Sequence, residues 1–80
     1  MPIPKLIGVI CSKPSILHLK YENGEERVFD VSPYWNSSFF KELQDFQYFS
    51  RVRLWNNTVQ WPHEQDFAPE TLYLESKINH

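Results

Sequence analysis

Asn23-Gly24 stands between two runs of alternating apolar and polar residues, and no other feature limits the fold so tightly. Asn-Gly flanked by such runs is the strongest short-range hairpin signal, because both residues tolerate the positive φ of a tight turn. Before it, Leu17, Leu19 and Tyr21 alternate with His18 and Lys20; after it comes the run from Arg27 to Val31. Strands over 15–21 and 27–31 are therefore expected as antiparallel neighbours, each half-buried.

The flanks also select the length of the turn. A two-residue turn would pair Leu19 with Val28 and Leu17 with Asp30, leaving Phe29 and Val31 on the face opposite Leu17 and Leu19. A one-residue slip of that kind moves the whole apolar set to the wrong side. A three-residue loop, Glu22-Asn23-Gly24 with Gly24 left-handed, restores it. Leu17 then faces Phe29, Leu19 faces Arg27, and Lys20 faces Glu26 as an opposite-charge pair.

The remaining segments read in the same way. The β-branched-rich run over 6–11, bounded by Pro4 and Pro14, reads as a strand covered on nearly both faces, with Gly8 marking a bulge or close approach. After Ser32-Pro33, Phe39, Phe40 and Leu43 fall at helical spacing, with Asn36 or Ser37 placed to cap a helix of roughly two turns. Residues 51–61 form a second hairpin, with Asn56-Asn57 supplying a type I′ turn. Its register pairs Leu54 with Val59 and Val52 with Trp61 on a core face, and Arg53 with Gln60 and Trp55 with Thr58 on a solvent face. A polar loop runs to Asp66, which is placed to cap the next turn. Pro69 suits the first position of a terminal helical turn over 69–73, and residues 76–80 are expected to fray. The order is β-β-β-α-β-β with a C-terminal helical turn: an α+β fold, its antiparallel sheet packed on one short helix. One domain over 1–80 is expected, ordered over about 5–75 by the extent of these patterns.

A chain of 80 residues buries only about 60–65% of its unfolded surface, so its core must come from large side chains. Three Trp, four Tyr and six Phe supply them. The net charge of −2 lacks the basic surplus of a nucleic-acid binder and argues against direct contact with nucleic acid. The single Cys11 excludes an internal disulfide and reads as a buried thiol. No apolar run is long enough to span a membrane, and the start lacks the apolar stretch of a signal peptide, so a cytoplasmic location is expected. The N-x-S/T triplets at Asn36 and Asn56 then carry no glycan.

No constellation for catalysis, metal binding or a cofactor emerges. Cys11, His18, His63, Asp66 and His80 show no metal-ligand spacing. Cys11 and His18 lie on neighbouring strands, yet a thiol among apolar residues loses reactivity. The serines lack a nucleophile-elbow context, and two isolated glycines cannot make a phosphate loop. Glu25 and Glu26 flank a turn and read as solvated. Asp30, at a strand end, reads as an anchor for nearby loop backbone. The one surface with the composition of a contact site is Arg51, Arg53 and Trp55 on the second hairpin, since Arg and Trp are enriched in binding hot spots.

These pieces together form a pattern. Leu17-x-Leu19-x-Tyr21-x-Asn23-Gly24 is followed by Val28-Phe29-Asp30-Val31-x-Pro33 and by Leu43, Phe49 and Val52. Then come Val59-x-Trp61-Pro62 and Asp66-Phe67-x-Pro69-Glu70-x-Leu72-Tyr73. From about Ile7 to Tyr73 the chain strongly resembles the bacterial family called domain of unknown function 2442. The resemblance implies a small prokaryotic α+β protein without established activity. In that family some members carry a following helix-turn-helix, and others are encoded beside a second small protein in a toxin–antitoxin-like arrangement. This chain departs from the pattern at His63-Glu64, where the family carries Asn-Gly; a Cβ there carries a penalty in a positive-φ turn that glycine escapes. The chain also ends soon after Tyr73, so a regulatory role is expected to work through another protein.

The leading expectation is a non-enzymatic protein-interaction module, the antitoxin-like or regulatory member of a two-protein pair. Its contact face would include Arg51, Arg53 and Trp55. The alternative is a small-ligand-binding or enzymatic domain with a pocket near Asp30, Tyr34, Trp61 and Asp66. The expected partner is another small protein, and exposed edge strands are compatible with a homodimer.

Overall fold

The computed structural model describes residues 2–79. Its first three strands, β1 (Leu6–Ser12), β2 (Ile16–Tyr21) and β3 (Glu26–Asp30), form an antiparallel meander. A 3₁₀ turn over Lys41–Gln44 and the short helix α1 (Phe46–Phe49) follow. A second hairpin pairs β4 (Arg53–Trp55) with β5 (Thr58–Gln60). Helix α2 (Pro69–Glu75) leads into β6 (Lys77–Ile78), which returns to pair with β3. The result is α+β, with a four-stranded sheet ordered β1-β2-β3-β6 and a separate two-stranded sheet.

The first hairpin forms in the register its flanks demand. Leu17 faces Phe29, Leu19 faces Arg27, and Lys20 faces Glu26. The loop is three residues long: the Gly24 N–H donates to the Tyr21 carbonyl at 3.0 Å, and the Tyr21 N–H to the Glu25 carbonyl at 2.9 Å. Gly24 sits at φ +92°, where an L side chain would be strained. Leu17, Leu19, Tyr21, Phe29 and Val31 are consequently all buried on the inner face. The second hairpin keeps its expected register at Arg53–Gln60, Leu54–Val59 and Trp55–Thr58, with Asn56 and Asn57 at φ +50° and +63° in its two-residue turn, while the expected Val52–Trp61 pair lies outside the ladder.

The core closes around Trp61, which is fully buried and donates its indole N–H to the Phe49 carbonyl at 2.8 Å. Phe67 stacks on Phe40, with ring centroids 4.8 Å apart, and meets Phe29 edge-on at 5.0 Å. Burying each large side chain of this kind contributes about 1.5–3 kcal/mol. Asp30 anchors the end of β3 by accepting from the Ser15 hydroxyl at 2.6 Å and the Ser32 N–H at 2.9 Å.

Several local expectations give way to tertiary context. β1 is not covered on both faces. It is an edge of its sheet, and Ile7 and Ile10 are exposed. The bulge expected near Gly8 does occur, as a register shift between Leu6 and Gly8. The helix expected around Phe39–Leu43 is a 3₁₀ turn that buries only Leu43, with Phe39 exposed. The α-helical turn begins later, because the Asp45 carboxylate accepts from the Gln47 N–H and caps α1.

In the second hairpin burial follows the strand rather than the face. Thr58, Val59 and Gln60 are all buried, and Arg53, Leu54 and Trp55 are all exposed. β5 lies inside because Thr58 donates its hydroxyl to the Phe67 carbonyl and Gln60 pairs with Asp66, which covers the face expected to meet solvent. Asp66 does not cap α2; Ala68 occupies that position without a side-chain bond. The C-terminal residues 76–79 are not frayed. Lys77 and Ile78 pair with β3, and the Asn79 N–H donates to the Glu26 carbonyl at 2.8 Å.

Candidate functional site

β4 presents the first candidate surface. Among the described residues its ladder partner is β5, it packs beside β1, and its three residues are all exposed. Trp55 and Leu54 are each 43% exposed. Arg53 reaches back to the Gln60 amide oxygen at 2.6 Å, which fixes its guanidinium beside the strand, while Arg51 is exposed in the turn leading into it. Asn57 ties the end of this hairpin to the start of β1: its side-chain oxygen accepts from the Leu6 N–H at 2.7 Å. Arg51, Arg53 and Trp55 are thus near neighbours on one exposed segment, joined by Leu54, which its alternation with Val59 had assigned to the core.

A cleft of about 400 Å³ is the second candidate. It opens at the end of β3, between the loop at Pro33–Tyr34 and the junction of α2 with β6, and Asp30, Tyr34, Glu75 and Lys77 supply its polar lining. The Tyr34 hydroxyl donates to the Glu75 carboxylate, which pushes the phenol above its ordinary pKa. Burial works to raise the Asp30 pKa, yet the hydrogen bonds from Ser15 and Ser32 outweigh it and hold the carboxyl below the usual range. Asp30 and Tyr34 therefore meet at this cleft. Trp61 does not line it, being fully buried against Phe49, and Asp66 is engaged at its bridge with Gln60.

Two further networks were not legible in the chain. Arg27 lies over the Tyr73 ring at 4.3 Å, donates to the Ser76 hydroxyl at 2.6 Å, and forms an ion pair with Glu25 at 2.7 Å. Tyr73 donates to the same Glu25 carboxylate, so this residue is bonded rather than solvated. Those two partners, Arg27 foremost, hold the Glu25 pKa below its ordinary value. On another surface, Glu42 takes hydrogen bonds from His63 at 2.9 Å and Gln65 at 2.8 Å. Tyr48 donates to Gln65, accepts from the His63 N–H and stacks on the His63 ring. His63, and after it Gln65, lowers the Glu42 pKa. What this cluster fixes is the loop after Trp61. Glu42 and His63 are too far apart in sequence for any local spacing rule to pair them.

Catalytic pairings that proximity had left open do not form. Cys11 pairs with Leu17 and turns toward the core, while His18 pairs with Ile10 on the outer face and bonds the Ser12 hydroxyl at 2.9 Å. Among the described residues no group of three or more His, Cys, Asp or Glu side chains could hold a metal ion. Likewise, no helix among them is long and apolar enough to cross a membrane. His80 lies outside the described residues.

Fold and surfaces together define a small α+β domain whose distinguishing exposures are an Arg/Trp strand and a cleft at the sheet's end. The chain belongs to the family described as Protein of unknown function (DUF2442), whose model matches residues 6–77. No curated protein and no solved structure matches it.

Proposed function

We propose that this chain is a protein-interaction module that docks its partner on β4, as the antitoxin-like or regulatory member of a two-protein pair. The observation that carries this reading is the joint exposure of Trp55 and Leu54 on an exposed strand flanked by Arg51 and Arg53. A chain this short depends on its large apolar side chains to fold, and β4 holds two adjacent ones partly outside. Trp and Arg are the residues that most often dominate binding energy, because each offers a broad contact area with a polar handle. The test is co-expression with the protein encoded beside it, followed by purification of the pair. Trp55→Ala is expected to weaken the complex by about thirtyfold or more, the effect of losing a hot-spot residue, while leaving the fold intact. A complex that tolerates both Trp55→Ala and Arg53→Ala would remove the reading.

The cleft favours a second reading, binding of a small ligand or its turnover. Its volume suits a small molecule, and the Tyr34–Glu75 pair beside Lys77 offers donors and an acceptor within one concavity. A screen of small polar metabolites by thermal shift, repeated on Glu75→Gln, decides it. Absence of any stabilising compound, or stabilisation unchanged by the substitution, counts against the cleft.

A further inference from the structure

The free edges of this molecule differ in how they are protected. β6 spans only two residues and places Lys77 at its edge of the four-stranded sheet. β4, at the edge of the small sheet, spans three and carries Arg53. Shortness and charge are the devices that stop an open edge from pairing with another chain. β1, at the opposite edge of the large sheet, has neither. It runs seven residues, Leu6–Ser12, without a charged side chain. The bulge near Gly8 and the Asn57 side chain on the Leu6 N–H protect its beginning. β4 also packs beside β1 but forms no ladder with it, and no bulge or side-chain hydrogen bond engages the backbone of Val9 or Cys11.

The direction of the backbone groups there follows from the ladder. The Tyr21 N–H donates to the Glu25 carbonyl and the Val31 N–H to the Ser15 carbonyl, so the odd-numbered residues of β2 turn their backbone groups toward β3. Ile16, His18 and Lys20 turn theirs toward β1, where they pair with Ser12, Ile10 and Gly8. The N–H and C=O groups of Val9 and Cys11 therefore point away from the sheet. Among the described residues no turn, cap or side-chain hydrogen bond reaches them. Between them stands Ile10, 72% exposed, the most exposed large apolar side chain among the described residues.

We propose that β1 pairs antiparallel with β1 of a second copy of this chain, about a two-fold axis at Ile10. In that register Val9 of each copy lies opposite Cys11 of the other, and each such pair exchanges both backbone hydrogen bonds. Ile10 meets its own counterpart as the non-hydrogen-bonded pair, where side chains approach most closely. The absence of charge along the strand is what permits this: in a symmetric pairing, a charge near the axis would face its like. Lys5 and Lys13 fall opposite positions 15 and 7 of the second copy and do not meet each other. The two four-stranded sheets become one. So short a pairing makes a small interface, and the dimer is a weak one. The proposal does not rest on a partner at β4, although β4 packs beside β1.

Sedimentation equilibrium from low micromolar to millimolar protein should show a monomer–dimer transition. Ile10→Lys should raise the dissociation constant by about a hundredfold or more, because a buried apolar pair becomes two facing cations. Circular dichroism checks that this exposed position leaves the fold unchanged. As an independent measurement, Cys11→Ala combined with Ile10→Cys should form an intermolecular disulfide under mild oxidation. The Cα separation of about 4.5 Å at the axis is within disulfide reach. Cys11 in the native chain, diagonal to its counterpart at about 7–8 Å, should not. A chain that stays monomeric to millimolar concentration overturns the proposal. So does a dimer that survives Ile10→Lys, or a double variant that fails to cross-link.

Discussion

Glu64→Gly should make this protein more stable. The loop after Trp61 has the same bonding pattern as the first hairpin: the Glu64 N–H donates to the Trp61 carbonyl and the Trp61 N–H to the Gln65 carbonyl, each at 2.9 Å. Position 64 thus occupies the place that Gly24 holds in the earlier loop, and it sits at φ +70°. A left-handed conformation costs an L residue about 1–2 kcal/mol, because its Cβ crowds the following carbonyl oxygen. Glycine removes that cost but returns about 0.4–1 kcal/mol to the freer unfolded chain. The Glu64 side chain is exposed, so deleting it costs no packing. The net gain is about 0.5–1 kcal/mol, or a rise in Tm of about 2–8 °C for a domain of this size. Urea titration with a thermal melt measures it. Glu64→Ala keeps the Cβ and should show no comparable gain. If glycine proves no more stable than alanine, backbone strain at this position is not what distinguishes the two loops.

Two other perturbations test the interior and the closure of the sheet. Tyr21 is buried with no partner for its hydroxyl among the described residues, and burial pushes its pKa up to about 12. Tyr21→Phe should therefore hold or raise stability, by up to about 1 kcal/mol in denaturant titration, and a loss of that size would mean the hydroxyl is bonded. Arg27→Ala removes the contacts to Tyr73, Ser76 and Glu25 together. Amide exchange at Lys77, Ile78 and Asn79 should quicken while the β1–β2 amides keep their protection; uniform loss of protection would refute a local latch. The same latch should respond to acid. The Glu25 pKa is depressed in the fold, so its contribution is complete above the ordinary carboxylate range and is lost as pH falls through the lowered value. The protection factors of the β6 amides, taken relative to intrinsic exchange at each pH, should fall on acidification, and unchanged factors would contradict this.

Much of the fold was legible wherever local chemistry decides the outcome. The split of Leu17 and Leu19 from Phe29 and Val31 rejected one turn length, and Asn56-Asn57 specified another. Burial was harder to read. Alternation along β4 and β5 correctly paired Leu54 with Val59, but it could not show that Asp66 and Phe67 would cover Thr58 and Gln60 from the other side. Phe39 and Phe40 share helical spacing with Leu43, yet the aromatic stack on Phe67 claims Phe40 and leaves Phe39 outside. At the candidate sites, residue type alone marked Arg53, Trp55, Asp30 and Tyr34. Glu75, Lys77, Glu42 and His63 gain their neighbours only through contacts between distant segments, for which a single sequence carries no signal.

β6 bears on how the chain comes to be folded during synthesis. β1, β2 and β3 join through short loops and can pair as soon as they emerge, but Lys77 and Ile78 follow every other strand out of the ribosome. Until then the outer edge of β3 is bare, and so is that of β1. From the emergence of β3 until β6 follows, the nascent meander is therefore open to pairing on both sides. A two-residue strand, held by Arg27, closes one of them.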